Sequence, residues 1–141
     1  MDIESILQKF MSGDSHLVWS ASWDVIKASK QEISEFPLTK ISDVRNSVQM
    51  LNDESNRDIY QLAVSILDNI EQGICRCNCY PSSQRLLPEE EQERNFISIE
   101  KKEDIPWEPE FACSCIECGK KYFVHESHSY HYPWAEWRNI T

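Results

Sequence analysis

Apolar residues return at three- and four-residue intervals through residues 1–73, the period of helices with one buried face. Ile3, Ile6, Leu7 and Phe10 form a first stripe, and Gly13 reads as its stop. Asp14 or Ser15 can cap the next helix by accepting from free backbone N–H groups. On that helix Trp19, Trp23 and Ile26 share one face, and Val18, Ala21, Val25 and Ala28 an adjacent one. A stripe this wide predicts a helix central to the core. Pro37 marks a break, after which Ile41, Val44, Val48 and Leu51 recur with helical spacing. Asp53 is expected to cap a last helix lined by Ile59, Leu62, Ala63, Ile66, Leu67 and Ile70, with Gly73 at its end.

The pattern changes at Cys75. Residues 80–94 hold Pro81, Pro88 and the run Glu89-Glu90-Glu91, which reads as an exposed loop. Phe96 to Glu100 alternates as a strand does, and Glu110 to Cys115 and Lys120 to Glu126 read as two more strands around Gly119. The tail from Tyr130 to Trp137 is densely aromatic: Tyr130, Tyr132, Trp134 and Trp137 are expected to fold back as cover, with one edge left for recognition. The fold expected is α+β: a four-helix N-terminal layer of two stacked hairpins (1–74) and a small zinc-stapled β-sheet (75–141), packed together as one unit.

Charge narrows the function. The net charge is −10, from 14 Lys+Arg and 24 Asp+Glu, and both halves are acidic. Phosphate-rich partners and anionic membranes are disfavoured, and a basic protein surface is the partner of matching sign. The start Met-Asp-Ile-Glu-Ser is not that of a signal peptide, and no run approaches a spanning helix, so the expected location is the cytoplasm. In a reducing compartment six cysteines read as metal ligands before disulfides.

Those cysteines fall in two clusters, Cys75-x-Cys77-x-Cys79 and Cys113-x-Cys115-x-x-Cys118. Cys115-x-x-Cys118-Gly119 is a knuckle: two thiolates grip one metal from a tight turn, and the glycine lets the chain reverse. Either Cys75 with Cys77 or Cys77 with Cys79 can complete a tetrahedron of four thiolates, because residues two apart in an extended segment share a face. The cysteines left over, Cys79 and Cys113, are read as spare buried thiols; the alternatives are a two-metal cluster sharing all six thiolates, or a redox pair. His125, His128 and His131 stand three apart in a strand-like setting, which points them to opposite faces and favours ordinary packing. No nucleophile–base arrangement of recognised spacing is present, so no catalytic residue is assigned and the chain is read as a non-enzyme.

From Cys115 to Tyr122 the chain resembles the zinc-ribbon and treble-clef class of knuckles, which implies structural Zn²⁺. The wider pattern runs from Ser15-His16-Leu17-Val18-Trp19-Ser20-Ala21-Ser22-Trp23 through both cysteine clusters to Tyr130-His131-Tyr132-Pro133-Trp134-Ala135-Glu136-Trp137. It resembles small acidic cytosolic bacterial proteins of toxin-immunity type. That resemblance favours Cys75 over Cys79, giving Cys75, Cys77, Cys115 and Cys118 as the metal ligands. It also implies a non-catalytic protein that neutralises a toxin domain with a basic surface. The alternatives are a zinc-ribbon nucleic-acid or transcription accessory protein using Arg76, Lys101, Lys102, Lys120 and Lys121, and, last, a hydrolase with a metal on the C-terminal histidines.

Overall fold

The computed structural model describes residues 1–129 and 131–141. The chain divides into two compact units, Met1–Ile74 and Cys75–Thr141. Among the described residues no helix is long and apolar enough to cross a membrane.

The first unit is helical. Helix α1 spans Ile3–Met11, α2 Ser15–Lys27, α3 Lys30–Ser34, α4 Ile41–Gln49 and α5 Arg57–Gln72, with a 3-10 turn at Leu38–Lys40 after Pro37. Helix α2 packs on α1 and α5, and α4 also packs on α1 and α5. Their inward residues include Phe10, Val18, Val25, Val44, Ala63 and Leu67, none of which reaches solvent. Each larger aliphatic side chain contributes about 1.5–3 kcal/mol by leaving water. Arg45 of α4 binds Asp68 and Glu71 of α5 at 2.6 and 3.1 Å.

Local chemistry sets the helix ends. Asp14 caps α2 by accepting from the His16 and Leu17 N–H groups. Gly73 ends α5 in the left-handed conformation, and Ile74 N–H reaches back to the Asn69 carbonyl at 2.7 Å. Gly73 N–H meets the Ile70 carbonyl, which completes a Schellman closure.

Three helical expectations need correction. Helix α3 was not anticipated; Ser29 and Glu32 build a capping box around its single turn and a half. Trp19 is 38% exposed and Trp23 half-buried, because α1 and α5 take up the face carrying Val18, Ala21, Ser22, Val25 and Ile26. Asp53 does not cap α5, whose N-cap is Asn56, with no side-chain bond to the free N–H groups of the helix. Asp53 instead accepts from the Tyr60 hydroxyl, Ser55 Oγ at 2.8 Å and Asn56 Nδ2 at 3.2 Å. These bonds, Tyr60's first, hold its pKa down to about 2 from an ordinary 3.8.

Because the folded pKa lies below the unfolded one, Asp53 stabilises the fold fully above about pH 4, and the contribution is lost as pH falls through about 2. Thermal melts followed by helical circular dichroism across that window should fall steeply with acid in the native chain. Asp53→Asn should flatten that part of the curve, and an unchanged slope would remove Asp53 from the account.

The second unit holds a four-stranded antiparallel meander, β1 Ile97–Glu103, β2 Glu110–Cys115, β3 Lys121–Ser127 and β4 Trp134–Asn139, in spatial order β1-β2-β3-β4. The register sets Ile97 against Cys115, Cys113 against Tyr122, and Val124 against Trp137. Strand alternation puts Phe111, Cys113, Cys115, Tyr122, Val124, Ala135 and Trp137 inside. A bulge between Ile99 and Lys101 shifts the β1–β2 pairing.

Strand β4 emerges from the aromatic tail, and its four tail aromatics divide. Trp137 is buried, its ring stacked on Tyr80 at 4.0 Å and edge-on to Tyr122 at 5.8 Å, with its indole N–H bound to the Leu86 carbonyl at 2.7 Å. Trp134 is half-buried and Tyr132 exposed, while Tyr130 lies outside the described residues.

The stretch 80–94 is not an exposed loop. A 3-10 segment covers Arg76–Ser82, and helix α6 covers Pro88–Glu93 with proline in its first turn. Glu91 is fully buried. Its carboxylate accepts from Arg76 Nε at 2.8 Å and Nη2 at 3.0 Å, from the Tyr80 hydroxyl at 2.8 Å and from Arg94 at 3.2 Å.

Candidate metal centre

Two kinds of local structure bring thiols together. The β2–β3 connection supplies Cys115 and Cys118, and Gly119, at φ +76°, carries the left-handed step that turns the chain back. Gly119 N–H donates to the Cys115 carbonyl at 2.9 Å, and Cys115 N–H to the Lys120 carbonyl at 2.8 Å. Cys75, two residues beyond Gly73, precedes the 3-10 segment that contains Cys77. Two contacts anchor that segment: Tyr122 Oη donates to the Cys77 carbonyl at 3.1 Å, and Arg76 is tied to Glu91.

The result is a cluster of Cys75, Cys77, Cys115 and Cys118, whose sulfurs all lie within 4.8 Å of one another. Cys75 and Cys115 sulfurs stand 3.3 Å apart, and Cys77 and Cys118 sulfurs 3.4 Å apart. A disulfide needs about 2.0 Å, so these are thiol contacts. A tetrahedron with metal–sulfur bonds of about 2.3 Å has edges near 3.8 Å, inside the observed spread. Donor type and spacing therefore fit one four-coordinate thiophilic ion with a closed shell, leaving no position for a reacting water.

Burial pushes the Cys75 thiol well above its ordinary range and Cys77 to about 11. At Cys118 slight burial opposes the thiolate, but the Lys120 backbone N–H and the neighbouring thiols outweigh it and lower the pKa. A bound divalent cation holds all four as thiolates and releases their protons. Glu117 stands 3.7 Å from the Cys75 sulfur at the outer rim.

Cys79 and Cys113 stay outside the cluster. Both are buried, and burial raises their thiols to about 11 and about 12. Among the described residues no second group of three or more cysteine, histidine or carboxylate side chains converges, so a six-thiolate two-metal centre is not assembled. The histidines go their own ways: His125 faces Glu108 at 3.5 Å, and His128 bonds to Glu126.

The five cationic residues near the knuckle are largely engaged. Arg76 is buried against Glu91, Lys101 meets Glu103, Lys102 meets Glu89 and Asp104, and Lys121 meets Glu100. Lys120 reaches Asn78 Oδ1 at 3.3 Å. The Arg76–Glu91 pair is the feature that sequence reasoning missed. The proline at the first position of α6 was its one local signal.

Compared with protein-family models, curated proteins and solved structures, the chain matches none, so no relative supports the resemblance to toxin-immunity proteins.

Proposed function

We propose that the chain is a non-catalytic zinc protein that binds and neutralises a protein partner with a basic surface, an immunity-type inhibitor. Zinc in the four-thiolate centre is structural: it staples the 3-10 segment to the β2–β3 knuckle of a small sheet. All-sulfur donors favour Zn²⁺ over the oxygen-seeking cations.

The observation that carries the partner reading is charge. The chain is −10 overall, and the lysines and arginine nearest the knuckle are already held by carboxylates or an amide. An acidic surface meets the basic surface that a nucleic-acid-attacking toxin needs, and it speeds encounter by long-range attraction. The same engagement of cations works against the accessory-protein alternative, which needs them for phosphates.

Mass spectrometry of the intact native chain should find one zinc per chain. Co-expression with the product of the adjacent gene should restore growth that this product alone arrests, and the two should co-purify as a salt-sensitive complex. A neighbouring gene whose product is harmless, together with a pull-down that retains no protein, would overturn the partner reading while leaving the zinc reading to its own assay.

A further inference from the structure

The connection between β1 and β2 does something that stability does not require. It reads Asp104-Ile105-Pro106-Trp107-Glu108-Pro109, and Trp107 projects into solvent at 70% exposure with Ile105 beside it at 41%. Trp107 has a φ of +67°, in the left-handed region. Among the described residues only Asn95 shares that region without being glycine, and asparagine visits it readily. A bulky L-residue does so against steric resistance, where glycine would sit freely.

Backbone hydrogen bonds and two prolines constrain the loop. The Trp107 carbonyl accepts from His128 N–H at 2.8 Å, Glu108 N–H closes on the Ile105 carbonyl at 3.1 Å, and Pro106 and Pro109 restrict the backbone on either side. The neighbouring sequence is acidic. Glu103, Asp104, Glu108 and Glu110 lie within four positions of Trp107 in the chain, against Lys101 and Lys102, which pair with Glu103 and Asp104, and His125, which faces Glu108.

We propose that Trp107 with Ile105 and this acidic rim is the docking surface for a basic partner protein, the indole entering an apolar patch whose edge carries arginine or lysine. This rests on the partner reading above and names its surface. Rigid aromatic anchors with little ordering entropy to lose dominate interfaces of this kind. The carboxylates supply sign and orientation, and they repel an anionic lipid surface.

The test is titration calorimetry of the zinc-loaded chain. The probe is a synthetic amphipathic helix of about 18 residues, five turns long, with a leucine stripe rimmed by arginine. A second helix has the arginines replaced by glutamate, and vesicles of phosphatidylcholine with phosphatidylserine form a third arm. The arginine helix should bind the native chain, with salt-dependent affinity, and the glutamate helix should not. Trp107→Ala should weaken binding by at least about tenfold. Trp107→Gly should weaken it as much while holding or raising the thermal midpoint, which separates the anchor from the fold. If Trp107→Ala binds the arginine helix as the native chain does, this surface is wrong and the basic-partner reading stands. If the native chain ignores the arginine helix, this surface is wrong, and the partner reading is left to the co-expression and pull-down assay. Vesicle binding that depends on Trp107 would assign the loop to lipid and overturn the proposal.

Discussion

Serine at Cys115 or Cys118 should strip the metal from the chain and unfold the Cys75–Thr141 unit. The four sulfurs close one shell, so the loss of any donor opens it. Structural zinc sites carry on the order of 10 kcal/mol of apparent binding free energy, which exceeds the stability of most small domains. The sheet has four short strands and one layer of inward side chains, so it has little else to draw on. A strong chelator should have the same effect on the native chain. Loss of near-ultraviolet dichroism from the Tyr80, Tyr122 and Trp137 cluster would report it directly. Serine at Cys79 or Cys113 should leave one zinc per chain, because those sulfurs lie outside the cluster. A Cys79→Ser chain that loses its metal while Cys75→Ser keeps it would overturn the assignment of the ligand pair.

Alanine at Glu91 should be nearly as damaging, although no sulfur is touched. Glu91 is 0% exposed and meets Arg76, Tyr80 and Arg94. Its removal leaves the Arg76 guanidinium buried without its carboxylate, a change that costs about 3–5 kcal/mol in comparable pairs. At the size of this unit that corresponds to a fall in melting temperature of more than about 10 °C. Arg76 lies between Cys75 and Cys77, so metal retention against a chelator should fall with stability. The double variant Arg76→Met with Glu91→Leu should recover part of the loss, because the apolar pair removes the Arg76 charge while the Tyr80 hydroxyl and Arg94 still lose an acceptor. A Glu91→Ala chain that melts within about 1 kcal/mol of native stability would show that the pair contributes little.

What the sequence displayed and what it hid follow from the range of each interaction. The stripe of α5 and the Gly73 stop were legible because helix periodicity and termination are decided within a few neighbours. The knuckle was legible for the same reason: two sulfurs, a turn and a glycine fit in five residues. Glu91 was not, since its partner Arg76 lies 15 positions away and a run of glutamates looks alike at every member. The Trp19 face misled because α2 is apolar around most of its girth, and only its contacts with α1 and α5 decide which side is inside. Asp53 had the right type for a cap, but Tyr60, Ser55 and Asn56 offered it better donors. The left-handed backbone of Trp107 has no signature in composition at all.

The spacing of the thiols also dictates an order of events during synthesis. Cys75 and Cys115 are 40 positions apart, so a ribosome adding about 5–20 residues per second leaves the first pair waiting about 2–8 s for the second. Within that interval β1 emerges before β2 exists to pair with it. Its outer half reads Lys101-Lys102-Glu103, a charged edge that discourages pairing with other nascent chains. Tyr80 waits longer still, for Tyr122 and then for Trp137, 57 positions on. Metal capture by the four thiols therefore waits for the β2–β3 connection, and β4 emerges only after all four sulfurs have been made.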